Sequence, residues 1–237
     1  MSKRMDIIDG KEAARVPYGL VYTEVLGWID LGHAQGTDIR NLLRDINVSE
    51  LSGKDYYNIT YSQSMIDRRR TIRMGKFITW RIKRGRSPSE RNRIALAMMM
   101  SLAQKFEGLQ SSFPLSLVTD SGFSSEDLIS DLLGFYRVIS VQNPFEMLHP
   151  VSKEEALKRW DHYSKIGSWK NKTFRPMLFP DPNKSVSARP YKGELPGFMK
   201  LVRPWNDFRL GIVNVVSADG SFIDKAKGGV LPYASTY

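Results

Sequence analysis

The chain has 237 residues, of which 41% are hydrophobic and 25% charged, as expected for a globular protein of one large domain or a domain with a subdomain. It contains no cysteine, which excludes disulfides, thiolate metal sites and a cysteine nucleophile. No apolar run reaches the length of a membrane span, and the N-terminal residues lack the hydrophobic core of a Sec signal. We therefore expect a soluble protein without a classical secretion signal.

The net charge of +10 is concentrated in one segment of the chain. Nine lysines and arginines, and no acidic residue, lie between Arg68 and Arg86, so the rest of the chain is nearly neutral. This basic stripe indicates an anionic partner, such as nucleic acid, anionic lipid or an acidic cell-wall polymer. It is equally typical of a solvated strand or helix face whose charges only increase solubility.

The first half of the chain contains two predicted helices followed by two predicted strands. Apolar side chains recur at helical spacing over residues 18–34, and a second helix is expected from its N-cap at Thr37. Residues 56–63 and 71–85 alternate between apolar and polar side chains, which predicts a twisted antiparallel pair with one basic face. The alternative for residues 64–76 is a helix.

Three further helices begin at serine residues that can act as caps. Ser87 and Ser152 are each followed three residues later by a glutamate, which completes a capping box. Ser124 is followed at the same spacing by an aspartate. We expect Gly134 to end the helix that begins near Ser124, and Gly167 to end the helix that begins near Ser152.

The last 70 residues are rich in proline, and a hairpin is predicted over residues 207–224 with its turn at residues 218–220. Together the elements predict an α+β fold with a mainly helical core, a small antiparallel sheet and a loop-rich C-terminal lobe. The expected division is a helical catalytic core with a β-hairpin at residues 1–167 and the loop-rich lobe at residues 168–237, packed together as one compact unit.

The usual signatures of nucleotide-binding proteins, zinc proteases and serine hydrolases are absent from the sequence. A first group of chemically active residues lies in the first predicted helix, where Asp30 and His33 share a face and Glu24 lies nearby. A neighbouring carboxylate raises the basicity of an imidazole, as in a general base or a metal ligand. The alternative is that His33 only interacts with the dipole at the helix C-terminus.

Two further groups of polar residues are candidates for binding or catalysis. Asp127 is explained by helix capping, whereas Glu126 is not required for capping and is a candidate general acid or metal ligand, with Ser130 one turn further along. In the first predicted strand, Tyr57 and Gln63 are suited to hydrogen bonding with a sugar or peptide, or equally to a solvent-facing strand.

Two motifs, "IDLGH" at residues 29–33 and "FSSEDLISDLLG" at residues 123–134, resemble those of an uncharacterised bacterial domain family. Its members carry I-D-x-x-H and F-S-x-E-D-L-x-S-x-L-L-G, and the resemblance covers residues 18–140. Many members are similar to exported or envelope proteins, and this chain has Asp131 where the family has asparagine. The resemblance implies a site without naming a reaction; its residues are Asp30, His33, Ser124, Glu126, Asp127 and Ser130.

The combined expectation is a bacterial envelope hydrolase, most concretely a peptidoglycan glycosidase or amidase that acts as an antibacterial effector toxin. Asp30 with His33 is the predicted base or metal-binding pair, Glu126 the acid and Glu24 a second carboxylate. The predicted substrate-binding residues are Tyr57, Gln63, Arg73, Asp127 and Ser130. A divalent metal held by His33 and carboxylates is a further option, although one histidine makes an incomplete zinc site.

The expected partners are an anionic polymer, with the cell wall favoured over nucleic acid, and an immunity protein in the producing cell. The expected route is export by a specialised secretion system to the periplasm. The alternative is a basic nucleic-acid-binding protein or nuclease, in which the basic stripe contacts phosphates and affinity falls steeply with salt. A third class is an interaction module whose motif residues only build the fold.

Overall fold

We describe a computed structural model of the chain. The residues that it describes are 2–66, 72–110, 124–164, 168–184 and 187–225. In chain order their strands and α-helices are β1 (Leu20–Thr23), β2 (Gly27–Asp30), α1 (Thr37–Glu50), β3 (Tyr56–Ile66), β4 (Ile72–Lys83), α2 (Pro88–Gln110), α3 (Asp127–Ile139), α4 (Lys153–Tyr163), β5 (Met177–Leu178), β6 (Tyr191–Lys192) and β7 (Val213–Lys225).

The elements form an α+β fold with two compact units. The first unit comprises residues 1–37 and 110–201, and the second comprises residues 38–109 and 202–237. Each unit is therefore built from two separate stretches of chain, and the region beyond residue 168 contributes to both. No helix in the described residues is both long enough and apolar enough to cross a lipid bilayer.

The first unit contains a four-stranded sheet in the order β1-β2-β5-β6, where the helix expected over residues 18–34 is instead the antiparallel hairpin β1–β2. The prediction was wrong because nearly every apolar side chain of the hairpin is buried, so the segment lacks the alternation that identifies a half-exposed strand. Gly27 has φ of +75°, and a Cβ atom there would lie 2.1 Å from the carbonyl oxygen of Met177 on β5. Glycine thus permits both the turn and the close approach of the strands.

An aromatic cluster fills the core between this sheet and α4. Tyr22 on β1 packs edge-to-face against Trp28 on β2 with ring centroids 5.2 Å apart, and Trp28 packs against Trp160 of α4 at 5.8 Å. Phe179 completes the cluster against Tyr22 at 6.5 Å. Burial of such large rings, together with their edge-to-face geometry, holds the sheet against the helix.

Helix α3 is longer than predicted, because it continues through Gly134 to Ile139. A Cβ atom at Gly134 would lie 3.0 Å from the carbonyl oxygen of His33, so this glycine allows another segment to approach the helix and does not end it. Helix α4 has the predicted cap, since the amide of Glu155 donates to the Ser152 hydroxyl at 3.3 Å. This helix ends at Tyr163, and Gly167 lies outside the described residues.

The second unit combines α1 and α2 with a three-stranded antiparallel sheet in the order β3-β4-β7. The antiparallel pairing of β3 with β4 confirms the two predicted strands, and Ser64–Ile66 and Ile72–Lys76 are strand residues where a helix was the alternative. The capping box of α2 is also confirmed. The Ser87 amide donates to the Glu90 carboxylate at 2.8 Å, and the Glu90 amide donates to the Ser87 hydroxyl at 3.3 Å.

Strand β7 replaces the hairpin that was predicted over residues 207–224. It runs without a turn through Gly220 and pairs along β4, where Gly220 lies opposite Phe77. A Cβ atom at Gly220 would lie 2.1 Å from the Phe77 ring, so this glycine makes room for an aromatic side chain of the neighbouring strand. The dipeptide Asp219-Gly220 is typical of a turn, which is why the sequence predicts a hairpin here. In the structure, the glycine instead allows packing between neighbouring strands.

Candidate active site

Both sequence motifs meet in the first unit, although about a hundred residues separate them in the chain. The backbone N–H of Asp30, at the end of β2, donates to the Ser130 hydroxyl at 3.0 Å. That hydroxyl in turn donates to the carbonyl oxygen of Glu126 at 2.6 Å. The His33 imidazole meets the Asp131 carboxylate of α3, with 3.0 Å between Nδ1 and Oδ1. These contacts place the predicted residues Asp30, His33, Glu126 and Ser130 in one site.

The position of His33 is set by a short turn that follows β2. The Asp30 carboxylate accepts hydrogen bonds from the amides of Gly32 at 2.7 Å and of His33 at 3.4 Å, so Asp30 organises the backbone of the turn. Gly36 ends the turn with φ of +64°, and a Cβ atom there would lie 2.4 Å from the carbonyl oxygen of Gly134. Glycines on both sides of the contact therefore let the turn pack directly on α3.

His33 and Asp131 form a charge pair at the edge of the site. Their side chains are 39% and 10% exposed, respectively. Burial opposes protonation of the imidazole, but the charges of Asp131, Asp127 and Asp30 outweigh it and hold the pKa of His33 well above its usual 6.5. His33 is therefore an imidazolium at neutral pH. Spacing along the chain could not identify Asp131 as the partner of His33, because 98 residues separate the two.

Glu126 is a buried carboxylic acid rather than a residue that projects into open solvent. It is 2% exposed, and burial together with the neighbouring charge of Asp127 raises the pKa of its carboxyl group to about 8. The hydroxyl of Ser2 donates to its Oε1 atom at 3.0 Å and that of Ser125 to its Oε2 atom at 3.5 Å. At neutral pH the side chain therefore holds a proton, which is the state required of a general acid.

A cavity of about 440 Å³ lies beside these residues in the first unit. Ser2 and Asp30 both line it, and they link the cavity to Glu126 and to the turn that carries His33. Apolar side chains, among them Ile8 and Leu20, form other parts of its wall. The cavity thus has the mixed lining that is typical of small-molecule and substrate sites.

The structure places the N-cap of α3 at Glu126 and not at Ser124, although Asp127 still accepts from the amide of Ser124 as the acid of a capping box does. The Asp127 carboxylate accepts a hydrogen bond from the Ser124 amide at 2.8 Å, and both residues are buried. The carboxylate thereby satisfies an amide just before α3 and adds negative charge at the helix N-terminus, where it is favourable. It also contributes to the raised pKa values of Glu126 and His33.

Glu24 lies apart from the site because the predicted helix is a hairpin. It is exposed in the turn between β1 and β2, whereas Asp30 is at the other end of the hairpin, opposite Leu20. Three register steps separate the Leu20–Asp30 pair from the Thr23–Gly27 pair next to the turn, a distance of about 10 Å at the usual rise of a strand. Glu24 lines a different cavity of the first unit.

The other predicted substrate-binding residues belong to the second unit. Tyr57 donates its hydroxyl to Glu50 at 2.7 Å, and burial with this contact raises its pKa. Gln63 and Arg73 lie in the strands β3 and β4, where Arg73 is opposite Asp224. All three residues therefore lie in the three-stranded sheet of the second unit, whereas Asp30, His33, Glu126 and Ser130 lie in the first unit.

Part of the basic stripe lies outside the described residues, which resume at Ile72. Within the described part, Lys76 pairs with Asp219 at 2.6 Å and Arg86 with Glu90 at 3.0 Å. Arg81, Lys83 and Arg84 are exposed. The stripe is therefore partly neutralised, and its exposed cations cluster near the end of β4.

The described residues contain no group of three or more histidine, aspartate or glutamate side chains arranged to hold a metal ion. The divalent metal that the sequence allowed thus lacks a complete set of ligands in this part of the chain.

Comparison of the chain with protein families, with curated proteins and with solved structures finds no match in any of the three.

Proposed function

We propose that the protein is a hydrolase of the bacterial envelope and that it cleaves peptidoglycan by general acid catalysis at the site of Glu126. The single observation that carries the proposal is the position of Glu126, a carboxylic acid that is only 2% exposed and is joined through the Ser2 hydroxyl to a cavity; the raised pKa of about 8 agrees with this burial. Carboxyl groups that stay protonated at neutral pH are uncommon, and enzymes use them to protonate leaving groups.

In the proposed mechanism the Ser2 hydroxyl, which contacts Glu126 and lines the cavity, gives its own proton to the leaving-group oxygen and takes up the proton of Glu126, which becomes a carboxylate. Asp30 supplies the second carboxylate, because it lines the cavity and two amides fix its orientation. This carboxylate activates water or stabilises positive charge on a sugar ring. The role of base thus moves from His33 to Asp30, since an imidazolium cannot accept a proton, and His33 contributes its charge to the site.

The choice of peptidoglycan is supported by the chemistry of the chain as a whole. A net charge of +10 favours association with a polyanionic wall, and the absence of cysteine makes the fold independent of the redox state of the periplasm. We propose delivery by a specialised secretion system and neutralisation by an immunity protein in the producing cell.

The test is digestion of purified sacculi with and without EDTA, followed by mass spectrometry of the soluble products. We expect new reducing ends from glycan cleavage, at least a hundredfold slower release for Glu126→Gln and Asp30→Asn, and unchanged melting at pH 5 for Glu126→Gln. Glu154→Gln, at an exposed position of α4, is the matched control. Absence of soluble products with the native chain, or full activity of both site variants, would overturn the proposal.

A second candidate, nucleic-acid binding, is favoured by one feature of the second unit. On the sheet β3-β4-β7, the exposed Arg81 lies over the Tyr56 ring at 4.6 Å from its centroid, and Lys83 is opposite Tyr56 in the register. Cations beside an aromatic ring are suited to phosphates and stacked bases.

Fluorescence anisotropy with labelled single-stranded DNA at increasing salt distinguishes this candidate from the first. A nucleic-acid-binding protein loses affinity with salt and on the double charge reversal Arg81→Glu and Lys83→Glu, and it is insensitive to Glu126→Gln. Equal binding by the native chain and the charge-reversed variant would exclude the sheet face as the binding surface.

A further inference from the structure

A second cavity in the first unit contains a buried cation that is not paired with a carboxylate. The cavity has a volume of about 250 Å³, and Arg159 of α4 lines it while being only 5% exposed. No carboxylate of the described residues lies within 4 Å of the guanidinium. Buried charges are normally paired, so an unpaired guanidinium at a cavity indicates that an anionic group binds there.

The guanidinium is held in place by neutral groups. Its Nε donates to the carbonyl oxygen of Phe179 at 3.1 Å, and its Nη1 donates to the carbonyl oxygen of Glu155 at 3.2 Å. Its Cζ atom lies 4.6 Å from the centroid of the Tyr22 ring. These contacts fix its orientation and leave its positive charge without a negative counterpart, which is how arginine is prepared for a carboxylate or a phosphate.

The remaining charges of the lining restrict the ligand. Lys184 also lines the cavity, and with Arg159 it sets two cations against the two carboxylates of Glu24 and Asp181, so the lining carries no net charge and does not favour a multiply charged anion such as phosphate. The two carboxylates are suited to an ammonium group, and the two cations are suited to a carboxylate group. A ligand with one carboxylate and one ammonium group therefore matches the balanced charges of the lining.

We propose that this cavity binds a small zwitterion of the amino-acid class, with its carboxylate on Arg159 and its ammonium group towards Glu24 and Asp181. The site lies next to the turn between β1 and β2, at the opposite end of the hairpin from Asp30. The proposal does not depend on the hydrolase activity. It also gives Glu24, which the sequence analysis placed in the catalytic group, a role in recognition.

The test is a two-dimensional NMR titration of the full 15N-labelled chain at constant ionic strength with L-alanine, acetate, ethylammonium and inorganic phosphate. We expect L-alanine to bind at least tenfold more tightly than the three other probes, with shifts confined to residues around the cavity. Arg159→Lys should weaken L-alanine binding at least tenfold, because a lysine cannot reproduce the two-pronged contact of a guanidinium with a carboxylate.

If Arg159→Lys folds poorly, Glu24→Gln still tests the proposal. Glu24 is exposed, so we expect its substitution to leave the fold intact. This variant should bind acetate and L-alanine with similar affinity, while Glu12→Gln, an exposed carboxylate outside the cavity, should behave like the native chain. No saturable shifts with L-alanine would overturn the proposal. Tighter binding of phosphate or acetate than of L-alanine by the native chain would also overturn it.

Discussion

The buried carboxyl group of Glu126 should make the first unit less stable as the pH rises, and Glu126→Gln should remove this effect. The folded chain holds the Glu126 proton up to a pKa of about 8, whereas the unfolded chain loses it near the ordinary value of 4.5. Between these pH values the folded state binds more protons, so its stability falls with increasing pH. The penalty amounts to about 3 kcal/mol at pH 7 and about 5 kcal/mol above pH 8.

Glutamine carries no charge at any pH, so the variant and the native chain should be similarly stable at pH 5. Above pH 8 the variant should be the more stable protein by several kcal/mol. His33 also loses its stabilising contribution as the pH rises from 6.5 through its raised folded pKa, but this loss is common to both proteins and cancels in the difference.

Urea unfolding from pH 5 to pH 8.5 measures this difference, with tryptophan fluorescence as the signal because Trp28 and Trp160 are buried in the first unit. Glu154→Gln serves as the control at an exposed position and should follow the native chain at every pH. If the stabilities of Glu126→Gln and the native chain differ by the same amount at all pH values, then the pKa of Glu126 is the same in the folded and the unfolded chain, which would contradict the raised pKa of the folded protein.

Three further substitutions test other parts of the structure. Asp131→Asn removes the nearest negative charge from His33, so the imidazole pKa measured by NMR should fall towards 6.5; an unchanged midpoint would show that the pair does not form. Gly36→Ala places a Cβ atom 2.4 Å from the Gly134 carbonyl oxygen at a positive φ and should cost about 2 kcal/mol or more in thermal unfolding, whereas native-like melting would contradict the close packing. Ser87→Ala removes the α2 cap and should cost about 1 kcal/mol in urea unfolding of the second unit, and no loss would mean that the cap is not used.

Sequence patterns predicted those elements whose signals are local. The capping box at Ser87 and the alternation of residues 56–63 act within a few residues, and both appear in the structure. The hairpin β1–β2 and strand β7 were misassigned because their character depends on tertiary contacts. Both faces of the hairpin are buried, so its sequence does not alternate between apolar and polar residues. In β7, Gly220 makes room for the Phe77 ring and does not form a turn.

The candidate site was likewise predicted only where the sequence signal is local. The two motifs identified the segments that meet, since Asp30, His33, Glu126 and Ser130 lie together. The pairing of His33 with Asp131 and the depth of Glu126 arise only when β2 packs on α3, so no spacing rule could reveal them. Glu24 was grouped with Asp30 through a helical periodicity that the hairpin does not have.

The most direct measurement is an NMR titration of the Glu126 side-chain carboxyl carbon in the intact, 13C-labelled protein, assigned by its absence in Glu126→Gln. We expect a single midpoint near the pKa of about 8 and a protonated carboxyl group at neutral pH. A midpoint near 4.5 would show that the carboxyl group is ionised at neutral pH, and Glu126 could then not be the proton donor of a hydrolase.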